Sequence, residues 1–189
     1  MDNFIIDKSK KDNTQSNKRI EKDKLGKVAI DKDMLYGIQT ARAFENFNIS
    51  NSKVKKELIY AIIKCESGFN PNAKSKANAI GLMQLTPDTF EWLQKSHTHQ
   101  KLDLEELSAP KTNIMYGSLL ISILREKYCD EKVALCAYNA GETVVKRWLN
   151  NKDFSLNGKT LNKIPYKETF KYVRRVISAK KIYKKLYFE

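Results

Sequence analysis

The sequence predicts an all-α domain, on three observations. Only 7 Gly and 4 Pro occur among its 189 residues, too few for the many turns of a sheet protein. Long stretches are rich in Lys, Glu and Leu, which favour helices. Apolar residues recur in these stretches at spacings of three and four, the period of an amphipathic helix. With 41% hydrophobic and 30% charged residues, the composition is that of a folded globular chain.

Residues 1–27 are predicted to form a mobile polar tail, and residues 28–189 the folded domain. After Asp7, the only large apolar residues of the tail are Ile20 and Leu25. Burial of so little apolar surface does not offset the conformational entropy that the chain loses on ordering.

Six to eight helices are predicted within the chain. Their bounds follow from apolar spacing, from the N-cap Thr86 before Pro87, and from stop signals such as Gly68. The predicted helices are one beginning near Asp31, then Lys53–Ser67, Pro87 through Leu93, Pro110–Tyr128, Glu131–Tyr138, Glu142–Leu149 and Pro165–Tyr187. Residues 69–85 and 150–163 are predicted to be loops.

The helix predicted over Lys53–Ser67 is apolar on nearly all sides after its first turn, which is typical of a buried helix. Glu66 lies at its C-terminal end. There the helix dipole disfavours a further negative charge. We therefore expect the Glu66 carboxyl group to hold its proton more tightly than an ordinary glutamate does.

The formal net charge of +13 favours polyanionic surroundings, such as nucleic acid, anionic lipid or an acidic wall polymer. Charge alone suggests a nucleic-acid-binding helical protein, but no recognised motif for one is present, and no nucleic-acid partner is expected. The last helix carries seven Lys/Arg and no acid from Lys171 to Lys185. This stretch is either a solvated face or a surface for anionic wall polymers or a partner.

No metal site, cofactor or transmembrane segment is predicted. His97 and His99 form an isolated pair without a third ligand. The odd number of cysteines, without regular spacing, argues against a disulfide framework. Cys65, Cys129 and Cys136 are expected to be small buried thiols on helices. No segment approaches the roughly 20 apolar residues of a membrane-spanning helix.

Three blocks of sequence stand out by their order and spacing. The first is Ala61-Ile-Ile-Lys-Cys-Glu66-Ser-Gly-Phe-Asn-Pro71 with Ala73-Lys-Ser75 and Ala79-Ile-Gly81-Leu-Met-Gln84; the second is Ala137-Tyr138-Asn139-Ala140-Gly141; the third is Ile164-Pro165-Tyr166 with Glu168-Thr169 and Tyr172-Val173. Together they resemble the signature of the soluble lytic transglycosylases, over roughly residues 50–180. Three blocks in this order are specific, whereas any one tetrapeptide is weak evidence.

The resemblance implies a goose-type lysozyme-like helical domain with a substrate groove, which cleaves peptidoglycan glycan strands without a cofactor. It implies cleavage of the β-1,4 bond between N-acetylmuramic acid and N-acetylglucosamine, with a 1,6-anhydromuramoyl product. Glu66 matches the catalytic residue. Six residues match substrate-binding positions: Ser75, Met83, Gln84, Tyr138, Tyr166 and Glu168. For Met83 the alternative is core packing, and for Glu168 it is a buried structural acid.

Three positions depart from the family pattern. Asn78 stands where Gly is frequent, Cys65 where a polar residue is common, and Lys171 where Arg is frequent. None of these changes removes a group that the chemistry requires. Asn78 leaves the detailed path of the substrate loop open.

Glycosidic cleavage requires an acid that protonates the departing oxygen. No second acid lies near Glu66 in the first block; the next in sequence is Asp88. The resemblance implies a substrate-assisted route in which Glu66 acts first as acid and then as base toward the sugar's own C6 hydroxyl. A group with both roles needs a pKa near the working pH, and an apolar helix end is a place that raises it.

Two alternatives share this fold: a lysozyme-like hydrolase, and a catalytically silent module that binds peptidoglycan or acts as a scaffold. The implied substrate places the protein in the periplasm or cell wall, whereas the first residues contain no apolar stretch of signal-peptide length. An enzyme that opens the wall for a flagellum or a secretion apparatus fits the size of the chain. A component of such an assembly is therefore an expected partner, beside the glycan strand.

Overall fold

A computed structural model describes residues 18–23, 26–32 and 54–187. The regular elements are, in chain order, β1 (Lys18–Asp23), β2 (Gly26–Asp31), α1 (Lys56–Glu66), α2 (Pro87–Leu93), α3 (Pro110–Tyr128), α4 (Glu131–Ala140), α5 (Glu142–Leu149) and α6 (Lys167–Tyr187). A π-helix, Gln94–Thr98, follows α2, and a 3₁₀-helix, Leu104–Ser108, precedes α3. Within these ranges, no helix is long and apolar enough to cross a membrane. The prediction of an all-α fold is confirmed for the body of the chain.

The β-hairpin is the main departure from the predicted fold. β1 and β2 pair antiparallel, with Lys18 opposite Asp31, where a tail without regular structure was predicted through residue 27. Ile20 is 61% exposed, so the hairpin does not depend on burying it. Backbone hydrogen bonds pair the two strands, and Ile30 of β2 is buried. An ion pair of 2.8 Å between Arg19 and Glu21 lies within β1. The helix predicted near Asp31 falls largely outside the described residues.

Helix α1 is the centre of the helical domain, as its apolar sequence predicts. Residues 58–63 are all buried. The helix packs along α6, and the ring centroids of Tyr60 and Tyr183 lie 5.8 Å apart. The same core includes Ile121 of α3 and Leu135 of α4. Because α1 is enclosed on these sides, its C-terminal residue Glu66 is held in a fixed place.

A second, smaller core fixes α2 and the 3₁₀-helix against α3. It consists of five buried apolar residues: Leu85, Phe90, Leu93, Leu107 and Tyr116. The rings of Phe90 and Tyr116 pack edge to face, with their centroids 4.6 Å apart. This cluster supports the far end of the loop that follows α1.

Residues 69–85 form the predicted loop, and Asn113 of α3 anchors it. The Asn113 side chain is fully buried. Its Oδ1 accepts a hydrogen bond from the Met83 N–H at 2.7 Å, and its Nδ2 donates to the carbonyl oxygens of Ile80 at 2.8 Å and Leu107 at 3.0 Å. Gly81 lies so close that a Cβ on it would collide with the Asn113 side chain. The loop is therefore tied to α3 by polar contacts in a dry interior.

The predicted helix bounds hold closely for the later elements. α3 and α5 match their predictions, and Thr86 Oγ1 accepts the Thr89 N–H at 3.3 Å as the N-cap of α2. α4 extends two residues beyond its predicted end to Ala140, and Gly141 ends it with φ +86°. The π-helix Gln94–Thr98 follows α2 in a polar stretch for which no helix was predicted.

Candidate active site

Glu66 is the last residue of α1 and is half-buried. Desolvation by burial raises the pKa of its carboxyl group to about 7. The Tyr172 hydroxyl and the charge of Arg175 act in the opposite direction, but burial is the stronger effect. The carboxyl group can therefore both hold and release a proton near neutral pH, as a combined acid and base must.

Tyr172 of α6 places a buried hydroxyl beside Glu66. The residue is 5% exposed, and within the described part of the chain its hydroxyl has no partner that meets standard hydrogen-bond geometry. The hydroxyl group nevertheless lies close enough to the Glu66 carboxyl group to lower its pKa, because a hydrogen-bond donor favours the charged form. Burial raises the pKa of Tyr172 well above its ordinary value, so this hydroxyl remains a neutral donor.

Tyr138 of α4 lies close enough to the same carboxyl group to sense its charge. Its hydroxyl donates a hydrogen bond of 2.8 Å to the carbonyl oxygen of Met83. Burial and, secondly, the charge of Glu66 raise the pKa of Tyr138 well above its ordinary value. Tyr138 therefore stays protonated and joins α4 to the loop beside Glu66.

Arg175 connects α6 to the end of α1. Its Nη2 donates a hydrogen bond of 2.6 Å to the carbonyl oxygen of Cys65. The last carbonyl groups of a helix have no partner within the helix, and a cation there is favourable. The same charge lowers the pKa of Glu66. Arg175 thus holds the backbone beside Glu66 and modulates its ionisation.

Ser75 and Asn78 shape the loop by local contacts. Ser75 Oγ accepts hydrogen bonds from the backbone N–H groups of Ala77 at 3.2 Å and Ala79 at 3.1 Å. Asn78 adopts a left-handed conformation with φ +57°, which glycine and asparagine reach more readily than other residues. This conformation accounts for Asn78 at a position where Gly is frequent. The predicted contact of Ser75 with substrate stays a prediction.

Gln84 and Met83 are also occupied by contacts within the protein. Gln84 Nε2 donates to the carbonyl oxygens of Ala73 at 3.1 Å and Gly81 at 2.9 Å. Met83 is fully buried, and a Cβ on Gly117 would lie 2.7 Å from the Met83 Cβ. The structure thus places the Met83 side chain in the core, the alternative that its sequence left open, and not on the surface of a groove.

Tyr166 and Glu168 lie at the start of α6 on the open side of the site. Tyr166 is 51% exposed, and its ring meets that of the buried Trp148 edge to face at 4.9 Å. Glu168 is exposed in the first turn, so the alternative of a buried structural acid is wrong. It stands four residues before Tyr172, and residues at this spacing share a helix face. Both positions are therefore open to a ligand.

Sequence reasoning assigned no role to Tyr172, Arg175 or Asn113. Tyr172 and Arg175 are three residues apart on α6, a spacing that puts both on the helix face toward the end of α1. Asn113 stands between Thr112 and the apolar run that begins at Ile114, a position where a polar side chain can serve as a buried anchor. These features indicate a role for the three residues only once the packing partner of each helix is known.

The cysteines, histidines and aromatic residues matter less to the site. All three cysteines are free; Cys136 is buried and Cys65 half-buried, but Cys129 is exposed at the end of α3, against prediction. In the described ranges, no cluster of three or more His, Cys, Asp or Glu residues could hold a metal ion. Among the aromatic residues, Phe69, Tyr116 and Trp148 are buried, whereas Trp92 is 42% exposed.

The fold and the site define a lysozyme-like helical domain with one titratable carboxyl group at the end of a buried helix. The groups that shift the pKa of Glu66 include no second carboxyl group. The chain belongs to the transglycosylase SLT domain family, whose profile matches residues 44–160.

Sequence and structure comparisons agree with this membership. The chain is 29% identical over 143 residues to the soluble lytic murein transglycosylase of Escherichia coli, which covers 71% of this chain and 21% of that protein. The solved 70 kDa soluble lytic transglycosylase SLT70 of E. coli matches with TM-score 0.67 and 25% identity, over 79% of this chain and 24% of that one. An inactive mutant of lytic transglycosylase Slt from Pseudomonas aeruginosa matches with TM-score 0.63 and 29% identity, over 78% and 23%. The chain spans less than a quarter of the length of each.

Proposed function

We propose that the chain is a peptidoglycan lytic transglycosylase with Glu66 as its single acid/base. It would cleave the β-1,4 bond between N-acetylmuramic acid and N-acetylglucosamine and leave a 1,6-anhydromuramoyl end. The observation that carries the proposal is the Glu66 carboxyl group, whose pKa burial raises to about 7. Family membership supports it, as does the inactive Slt of P. aeruginosa, in which a single Glu is replaced by Gln.

In the first step, neutral Glu66 donates its proton to the glycosidic oxygen as the bond to the anomeric carbon breaks. The substrate's N-acetyl oxygen supports the positive charge that develops on that carbon. In the second step, the Glu66 carboxylate accepts the proton of the C6 hydroxyl, whose oxygen bonds to the anomeric carbon. The proton is back on Glu66 and no water is consumed, so the reaction is formally that of a lyase.

The surrounding residues suit these two steps. Tyr172 is a neutral donor near the carboxyl group, so it stabilises the charged form between the steps, whereas Tyr138 holds the loop at the Met83 carbonyl oxygen. Tyr166 and Glu168 are exposed at the start of α6, and we assign them to substrate binding. Ser75 and Gln84 would contact the sugar from the loop that their own hydrogen bonds shape.

A digest of purified sacculi tests the reaction. Wild type should release 1,6-anhydromuropeptides, identified by mass, and Glu66→Gln should release none. Asp88→Asn serves as control, because Asp88 is an exposed acid in the first turn of α2 and its removal should not change the products. Products with reducing ends only would indicate a lysozyme-like hydrolase. Binding to sacculi without any release by wild type would indicate a catalytically silent module.

We also propose that the protein acts in the periplasm, at the wall, beside a flagellar or secretion assembly that needs a local opening. The support is the wall substrate in the names of its relatives. Cell fractionation of the full chain and of a chain lacking residues 1–17 tests whether those residues direct delivery. Recovery of both chains entirely in the cytoplasm would contradict the proposed location.

A further inference from the structure

A polar cleft of about 500 Å³ lies beside α2 and the π-helix. Leu102, which lines the cleft, packs against the smaller core, whereas α1 with Glu66 at its end belongs to the larger core. The cleft shares no lining residue with the site at Glu66. It is lined by Glu91, Gln94, Lys95, His99, Gln100, Lys101 and Leu102.

Internal hydrogen bonds fix the shape of this α2 cleft. The buried Gln94 side chain accepts the Leu102 N–H at 2.5 Å and donates to the Leu102 carbonyl oxygen at 3.3 Å. Its backbone carbonyl accepts the His99 N–H at 2.8 Å, which closes the π-helix. The hydroxyl group of the buried Tyr116 donates to Gln100 Oε1 at 3.5 Å. A ligand would therefore meet a surface that is already ordered, which lowers the entropic cost of binding.

The charges that line the α2 cleft nearly balance. Glu91 and Lys95 form an ion pair of 2.7 Å. The rest of the polar lining consists of two glutamine amides, His99 and Lys101. Such a lining offers hydrogen-bond donors and acceptors without a strong field of one sign. It suits a ligand rich in hydroxyl and amide groups better than a polyanion.

An exposed tryptophan lies next to the α2 cleft. Trp92 is 42% exposed, and Lys95, three residues later, lines the cleft, a spacing that puts both on one side of the helix. The ring of His97 packs against the indole in a T-shaped arrangement, with centroids 5.0 Å apart, and so orients it. The face of an indole ring carries partial negative charge, and the axial C–H groups of a pyranose ring carry partial positive charge. Sugar rings therefore stack on such a face.

We propose that Trp92 and the α2 cleft form a second glycan-binding site, which holds the protein on the wall while another stretch of glycan occupies the site at Glu66. The inference rests on the proposed function for the identity of the polysaccharide. One pyranose ring would stack on Trp92. Its neighbour in the strand would place hydroxyl and N-acetyl groups against Gln100 and Lys101.

Tryptophan fluorescence tests the second site without turnover. The chain has two tryptophans, and Trp148 is only 5% exposed, so acrylamide should quench mainly the emission of Trp92. In Glu66→Gln protein, saturating glycan strands that an amidase has freed of peptide stems should protect this emission from quenching. Trp92→Phe on the same background should lack the protected component.

Binding to purified sacculi measures the contribution of the indole. On the Glu66→Gln background, Trp92→Ala should bind about fivefold more weakly, and Trp92→Phe, which keeps an aromatic ring, should recover most of this loss. Leu156→Ala is the control, because it removes an apolar side chain that is 80% exposed elsewhere on the surface. It should bind like its parent.

Turnover separates the second site from the reacting one. With Glu66 intact, Trp92→Ala should slow release from sacculi but leave kcat/KM for a soluble tetrasaccharide fragment unchanged, because the fragment needs only the site at Glu66. An equal loss on both substrates would place Trp92 in the reacting site and overturn the inference.

Three further outcomes would overturn it: Trp92 emission that saturating strands leave open to acrylamide, unchanged sacculus binding of Trp92→Ala, or an equal loss in Leu156→Ala. Protection by free stem peptides but not by stem-free strands would assign the surface to a peptide instead. Failure of the proposed function is a separate result, since wild type would then release no anhydro product from either substrate, whereas protection of Trp92 is measured without turnover.

Discussion

The guanidinium group of Arg175 donates a 2.6 Å hydrogen bond to the carbonyl oxygen of Cys65, the residue before Glu66. This contact joins the C-terminal end of α1 to the helix that also carries Tyr172. Position and ionisation of Glu66 therefore have one origin, the packing of α1 against α6. Burial at their meeting point raises the pKa of Glu66, and two groups of α6 lower it again.

Replacement of Arg175 by Gln should move the activity profile to higher pH. The charge of Arg175 lowers the pKa of Glu66, so its loss raises that pKa, and Glu66 keeps the proton needed for the acid step to higher pH. The descending limb of kcat/KM, near pH 7 in wild type, should shift upward. Loss of the bond to Cys65 should also lower the free energy of unfolding by about 1 kcal/mol.

Arg175→Lys is the matched control, because it keeps the charge and loses the planar donor group. Its profile should stay close to that of wild type. An unchanged descending limb in Arg175→Gln would show that the cation does not act on Glu66.

Removal of the two tyrosine hydroxyls should affect stability differently. The Tyr172 hydroxyl has no partner of standard geometry in the described ranges, so Tyr172→Phe should change the free energy of unfolding by less than about 0.5 kcal/mol. Tyr138→Phe removes the bond to the Met83 carbonyl and should cost about 1–2 kcal/mol. Urea unfolding of both variants at pH 5, where Glu66 is protonated in the folded state, measures this. Equal costs would contradict the difference between the two hydroxyl groups.

Tyr172→Phe should nevertheless change activity. Because the hydroxyl lowers the pKa of Glu66, its removal should shift the descending limb of kcat/KM to higher pH. A variant with wild-type stability and a shifted profile would separate the role of Tyr172 in the reaction from any role in folding.

The helical body and Glu66 could be predicted from the sequence because they depend on local signals. Apolar spacing and caps set the bounds of α3 and α5, and the continuous apolar run of α1 indicates burial. The hairpin could not be predicted, because backbone pairing forms it and its buried Ile30 lies beyond the tail that was predicted to end at residue 27. Arg175 could not be assigned, because its partner is 110 residues away in sequence. Met83 shows a different limit of sequence reasoning. A match to a motif gives the position of a residue in the motif but not the direction in which its side chain points.

Asn113→Ala should destabilise the protein strongly. The substitution leaves the Met83 N–H and the carbonyl groups of Ile80 and Leu107 without their buried partner. We expect a loss of about 3 kcal/mol in the free energy of unfolding, with lower activity because the loop beside Glu66 loses its anchor. Asn150→Ala, at an exposed position after α5, is the control and should stay within about 0.5 kcal/mol of wild type. Similar costs for the two variants would show that the loop is held by other contacts.

Glu66→Gln should stabilise the protein at high pH. The folded-state pKa of about 7 lies above the model-peptide value of 4.5, so between these values the folded state keeps a proton that the unfolded state has lost. The stability of wild type therefore falls as pH rises through this window. Gln has no charge to desolvate, so the variant should be more stable at pH 8 by up to about 3 kcal/mol and about equally stable at pH 4. Urea unfolding at pH 4, 6 and 8 measures the difference, with Asp88→Asn as an exposed control that follows wild type. Parallel pH profiles for wild type and Glu66→Gln would mean that the carboxyl group is not desolvated, and the basis of the acid/base assignment would be lost.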